Sequence, residues 1–210
     1  MTKYGKLTTA LIAAWFVFAV TASRLDLFRT SPNQPPLPLG LAALTPLVLF
    51  LVWFVASAKF RDFTMALNPR VLTWVQSWRI VGFVFLVLAA YGILPKLSAL
   101  PAGWGDIAIG VTAPLVALKL ASPDHRKSFI AWQVLGMADL VTAMTLGPLA
   151  RVIDPRGIAN DAMTVLPLSL IPTFGVPLFM MLHVICIAQV RRWPVRQYST
   201  IGQQLRSHSA

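Results

Sequence analysis

Six apolar stretches, each about as long as a helix that crosses a bilayer, occupy most of this chain. They run roughly over 7–23, 37–58, 69–94, 103–121, 128–148 and 165–190. A hydrocarbon core about 30 Å thick takes about 20 helical residues, and its backbone groups must be satisfied within the segment, so each run reads as a transmembrane helix. The connections are short, the longest being 24–36 and 151–164, and leave no room for a soluble domain. The expected fold is therefore all-α: an integral membrane bundle of six transmembrane helices forming a single domain over 1–190, followed by a basic tail, 191–210. Composition agrees, with 57% apolar and 12% charged residues against the roughly 25% charged of soluble domains. Mean hydropathy is +0.70. The single cysteine, Cys186, excludes a disulfide framework.

Eighteen Lys and Arg against seven acids give a net charge of +11, which in a soluble protein would suggest nucleic acid. Here the basic residues fall between the apolar runs, where they act as topology signals. With Arg79 set aside as intramembrane, one face collects Lys3, Lys6, Lys59, Arg61, Arg70, Lys119, Arg126, Lys127, Arg191, Arg192, Arg196 and Arg206. The other face has Arg24, Arg29, Lys96, Arg151 and Arg156. The excess predicts that both termini are cytoplasmic. The expected partner is the lipid bilayer, with Trp193 beside Arg191 and Arg192 as an interfacial anchor; a homo-oligomer or a membrane subunit partner stays open, and nucleic acid does not. Lys3, Lys6, the run from Leu11 to Val20 and Val20-Thr21-Ala22 also fit a secretory signal. The bulk of Trp15, Phe16 and Phe18, and the charge split itself, favour a retained helix.

Proline followed by leucine recurs in the second, fourth and sixth spans, at Pro46, Pro114 and Pro177, a pattern that fits three hairpins on one plan. Each proline frees the carbonyl four residues back, at Ala42, Gly110 and Thr173, and that carbonyl needs another partner. In the fourth span Gly103, Asp106, Gly110, Ala113 and Ala117 form a stripe of small residues that lets backbones approach closely. Gly136, Asp139 and Ala143 do the same in the fifth.

The polar residues inside the spans carry the functional reading. Asn68-Pro69 is a helix cap followed by proline at the first helical position, so the third span starts there and places Gln76 and Arg79 in the membrane. At 1.5 Å per residue, Arg79, Asp139 and His183 lie about 15, 16 and 12 Å from the cytoplasmic ends of their spans. A lone charge at mid-membrane costs about 2.5 to 3.5 kcal/mol on the most lenient scale, so Arg79 and Asp139 are expected to pair. Two readings follow: a solute or proton site, with Arg79 binding an anion or balancing charge, Asp139 its counter-ion and His183 a titratable neighbour, or a structural pair that fixes helix register. Asp106 is expected near the outer end of the fourth span, in the first turn of a helix or as a gate or cation-binding site at the outer mouth.

The stretch from Gln76-Ser77-Trp78-Arg79 through Leu100-Pro101-Ala102-Gly103-Trp104-Gly105-Asp106 to Ala113-Pro114-Leu115 resembles a family of small uncharacterised bacterial multi-pass membrane proteins. Ile171-Pro172-Thr173-Phe174-Gly175-Val176-Pro177-Leu178 and His183 resemble the same family. The resemblance implies a bacterial inner-membrane protein and gives no reaction.

Other chemistries find little support. His183 is the one histidine in a span, so a haem needs a second ligand from Met137, Met144, Met180 or Met181 or from a second copy of the chain. There is no zinc pattern, no Walker segment and no G-x-G-x-x-G run. Cys186 lies near His183 but in apolar surroundings that favour an inert thiol. The expected function is thus a small-solute or proton-linked carrier built on Arg79, Asp139 and His183, with Gln76 and Asp106 as further site residues; the alternatives are a non-catalytic packing partner and a redox protein that binds haem or quinone. No cofactor beyond that haem is indicated, and nothing points to catalysis.

Overall fold

A computed structural model describes residues 3–30, 36–154 and 157–194. Arg156, Arg196, Arg206 and the tail from residue 195 lie outside the described residues. Every long element is helical, and six helices are long and apolar enough to cross a membrane: Lys3–Arg24, Leu37–Ala56, Pro69–Ala90, Lys96–Leu120, Pro123–Ile153 and Ile171–Val190.

The first two are α1 (Lys3–Arg24) and α2 (Leu37–Ala56), close to their expected limits. A short helix, α3 (Ala58–Met65), which the hydropathy pattern does not show, follows in the next connection. The Ser57 side chain caps it by accepting from the Phe60 N–H at 3.2 Å. At its far end the Gln189 amide donates to the Thr64 and Leu67 carbonyls at 3.0 and 2.7 Å, tying α3 to the sixth span.

The third span begins where Asn68-Pro69 predicts, with the Asn68 carboxamide oxygen accepting from the Arg70 N–H at 2.9 Å. It ends at Ala90 rather than 94 and is not one α-helix. After α4 (Pro69–Val75) the chain tightens into a 3-10 helix over Gln76–Gly82 before relaxing into α5 (Phe83–Ala90). Seven residues is long for a 3-10 run, and such a stretch inside a helix marks a hinge or a site under strain.

The fourth span differs most from expectation. α6 (Lys96–Leu115) starts seven residues before 103, with Pro95 at the position ahead of its first turn, and continues as a π turn over Val116–Leu120. Pro101 lies inside this helix rather than ahead of it. α7 (Arg126–Ile153), behind a short 3-10 turn at Pro123–His125, extends past both limits of the expected 128–148. The sixth span starts at Ile171 instead of 165, as a π turn (Ile171–Gly175) leading into α8 (Val176–Val190).

α6 packs against the 3-10 segment, α5 and α7; α7 packs on α8, and α8 on α2 and α4. The small-residue stripe on α6 is covered by the chain's own helices: Gly103, Gly110, Ala113 and Ala117 are all buried. A Cβ at Gly110 would stand 3.0 Å from Ile80 Cα and 3.1 Å from the Arg79 carbonyl carbon, so only glycine lets α6 come this close to the 3-10 backbone. α1 docks on the π turn of the sixth span. There the Thr173 carbonyl, freed by Pro177, accepts from Trp15 Nε1–H at 3.1 Å, and Ser169 donates to the Ser23 hydroxyl at 2.7 Å.

The distribution of polarity is the reverse of a soluble protein's. Val17, Phe18, Leu41, Val52, Val55 and Leu118 face outward, whereas Arg79, Gln76, Gln133, Thr73 and His183 are among the most enclosed side chains. In water that arrangement would be costly on both counts; in a bilayer both are favourable.

Candidate functional site

Arg79 sits on the 3-10 segment, ten residues after Pro69 and eleven before Ala90. His183 lies seven residues from either end of α8, and Asp139 at the centre of α7. The middles of three spans therefore meet, and the middle of a fourth joins them. Asp106 is ten residues into α6, about 15 Å from its start, and not in the first turn or at an outer mouth. The correction follows from the earlier start of α6: the five residues between Pro95 and Pro101, Lys96 to Leu100, are helical, although their hydropathy is too low to read as span.

The guanidinium of Arg79 is the hub. Its Nε–H donates to Asp106 Oδ1 at 2.7 Å, Nη1 donates to the Gly136 carbonyl at 3.1 Å and to His183 Nε2 at 3.3 Å, and Nη2 donates to Asp139 Oδ2. The expected Arg79 to Asp139 contact is thus made, and a second carboxylate accompanies it. A planar fork with five N–H donors suits this task, since its three nitrogens together reach α6, α7 and α8. The Arg79 side chain is 1% exposed, while Asp106 and Asp139 retain 15% and 14%.

With every nitrogen of Arg79 engaged and the side chain sealed, no face of it is open to an anion, and the anion-binding role expected for it is not available in this geometry. The charge balance points the other way. Among the described residues both aspartates find their ion-pair partner in Arg79. His183 donates from Nδ1 to Gln133 Oε1 at 2.5 Å and accepts at Nε2, the pattern of a neutral imidazole. With both carboxyls ionised, one cation between them would leave one negative charge in excess at mid-membrane, where uncompensated charge is least tolerated.

Because both ring nitrogens of His183 are taken and the ring is fully buried, its use as a haem ligand would first require breaking the contact with Arg79 or Gln133. The residues present do not fit an axial-ligand role. Gln133 in turn donates to Thr73 Oγ1 at 3.1 Å, and Thr73 lies 3.9 Å from Cys186 Sγ, which points to the Pro69 carbonyl. A polar chain thereby runs from the cluster to the start of the third span. Gln76, also buried, does not join it: its amide donates to the Phe179 carbonyl at 3.2 Å, and its Oε1 has no partner among the described residues.

Glycines hold the cluster tight. A Cβ at Gly105 would run into the Asp139 carboxylate, one at Gly82 into Asp106, and one at Gly136 into the His183 ring, 3.3 Å from Arg79 Nη1. Gly136 contributes twice, since its carbonyl also accepts from Arg79. Beside the cluster a partly open cavity of about 60 Å³ has Asp106 on its wall, with Phe85, Leu140, Met144, Asn160 and Met163 around it. Asp139, Arg79 and His183 do not line this cavity; of the cluster, Asp106 alone is on its wall.

Sequence reasoning missed Asp106 as a member of the cluster, the Gly136 carbonyl and the Gln133 to His183 bond. The signal for Asp106 was in the stripe itself, where an aspartate flanked by Gly103 and Gly110 is placed for close approach to another helix.

Six apolar helices around a buried polar centre are the features of a multi-pass membrane protein. Within that class the chain belongs to the family described as a domain of unknown function, DUF8737, which matches residues 35–191. The match takes in the second to sixth spans and every residue of the cluster. No curated protein and no solved structure matches the chain.

Proposed function

We propose that this protein is a proton- or cation-linked carrier of small solutes, working through the cluster of Arg79, Asp106, Asp139 and His183. The observation that supports this most is the unequal charge count: two carboxylates share one guanidinium at the middle of four spans. A proton on one carboxyl, or a cation beside it, restores neutrality, and gain or loss of that charge changes how tightly α6 and α7 are drawn to Arg79. A merely structural pair needs one acid. The packing-partner reading relied on small-residue stripes free to dock elsewhere, and on α6 that stripe is covered within the chain.

The proposal includes the setting: one six-helix domain in a bacterial inner membrane with both ends cytoplasmic. Its support is the twelve-to-five division of Lys and Arg, which falls on alternate ends of the six helices, together with the family resemblance carried by Gln76 to Leu115 and Ile171 to His183. Gln76 then acts on the position of α8 through Phe179 rather than on the solute.

The test is flux in proteoliposomes carrying an internal pH dye, with a potassium diffusion potential and a panel of small cations, anions and zwitterions outside. Wild-type vesicles should change internal pH several-fold faster than empty ones with at least one solute, and Asp139→Asn vesicles should behave as empty ones. Equal rates for wild type and Asp139→Asn across the panel would remove the proposal.

A further inference from the structure

We infer that the cavity beside Asp106 is a binding site for a small organic cation, a primary ammonium with a short apolar body. The inference rests on the carrier reading above and names its solute.

Sign comes first. The cavity wall presents a carboxylate and not the guanidinium, because Arg79 is enclosed while Asp106 keeps 15% of its side chain accessible. Arg79 takes Asp106 Oδ1 and leaves the other oxygen of that carboxylate uncommitted to it. An ammonium has three N–H donors, and the polar side chains on this wall, Asp106, Ser98 and Asn160, come from α6 and from the connection before the last span.

Body comes next. The rest of the wall is apolar and polarisable, with Phe85, Met144 and Met163 able to face a cation or an alkyl chain. A bare metal ion would want more oxygens than this wall supplies.

Size limits the ligand. A site for one water takes about 10 to 15 Å³ of such space, so 60 Å³ admits roughly four to six heavy atoms, the size of propyl- or butylammonium. Leu94 stands just ahead of α6 and Ser98 in its first turn, and Asn160 and Met163 in the connection after α7, so the site lies toward the end of the bundle where those segments meet. Entry of the cation supplies the missing positive charge. A proton that balanced the cluster before entry leaves to solvent as the ammonium forms its contact with the carboxylate, one proton out for one cation in.

The experiment is calorimetric titration of the full chain in detergent with n-butylammonium chloride, with n-butanol as the neutral isostere and tetrabutylammonium as the oversized cation. Proton release is followed with a dye in weak buffer. The expected result is saturable binding of n-butylammonium, at least tenfold tighter than either control, with about one proton released per ligand. Asp106→Asn should weaken it tenfold or more. Because Asp106→Asn alters the ion cluster itself, Ala143→Leu, which enlarges an uncharged side chain on the cavity wall, serves as the second variant and should weaken binding to a similar degree. Absence of saturable binding, or binding that Ala143→Leu leaves unchanged, overturns the inference. Binding without any flux in vesicles supports the site while ending the carrier reading; solute-driven flux without ammonium binding overturns the site and leaves the carrier reading standing.

Discussion

At the scale of single residues, the protein depends on one side chain holding three others and a backbone carbonyl. Arg79 reaches Asp106, Asp139, the Gly136 carbonyl and His183 with the three nitrogens of its guanidinium. An ammonium on a lysine stem cannot point in those directions at once, so lysine is no substitute here. Removing the arginine leaves two buried carboxylates facing each other, and loss of one partner of a buried pair costs about 3 to 5 kcal/mol. Arg79→Met should therefore lower stability by about that much, measured by SDS-induced unfolding in mixed micelles. The triple variant Arg79→Met/Asp106→Asn/Asp139→Asn should recover more than half of the loss, because what the single variant leaves behind is charge rather than a hole. If the triple variant is no more stable than the single one, packing and not electrostatics governs the centre.

At the scale of elements, the centre exists because two backbones touch. The 3-10 segment and α6 meet at Gly110, where the nearest atoms are Ile80 N and Cα, which cannot rotate away. Gly110→Ala should push α6 outward, carrying Asp106 from Arg79, and destabilise by about 1 to 3 kcal/mol. Gly40, on α2, is the matched control: a Cβ there meets nothing within 4 Å. Gly40→Ala should be neutral or stabilising by up to about 1 kcal/mol, since only helix propensity changes. Unfolding of the two variants side by side checks this, and equal effects would mean that the α6 contact is looser than the structure shows. The tight turns of the 3-10 run have the same origin, because they bring Arg79 and Gly82 to the same side, toward α6.

At the scale of the whole molecule, six spans with twelve basic residues on one set of ends and five on the other define an orientation to be tested. In a Cys186→Ser background, single cysteines at Lys59 and Lys127 should react with an impermeant maleimide from one side of the membrane only, and one at Lys96 from the opposite side only. Labelling of Lys59→Cys and Lys96→Cys from the same side would show that the third span does not cross. The third span is the one to test, because Gln76 and Arg79 put an amide and a positive charge near its middle.

Hydropathy and length alone determined the number of long apolar helices and their order, because a backbone in hydrocarbon has few options and each span must announce itself. The cap at Asn68-Pro69 likewise determined where the third span starts, and with it the presence of a charge at mid-membrane. That Arg79, Asp139 and His183 share a level also followed from counting residues. Their arrangement did not. The start of α6 behind Pro95 was hidden because Pro101 reads as a boundary, whereas neighbouring helices cover the backbone around a proline and let a membrane helix continue through it. Which residues meet at that level is a matter of how helices rotate and how closely they approach, and that was settled by glycines at 82, 105, 110 and 136 and by the tightening of Gln76–Gly82. Only the tertiary structure could bring Asp106 to Arg79, put two carboxyl groups on one guanidinium, and leave a cavity beside them, because those contacts join residues 27 to 104 apart in the chain through packing that no local pattern encodes.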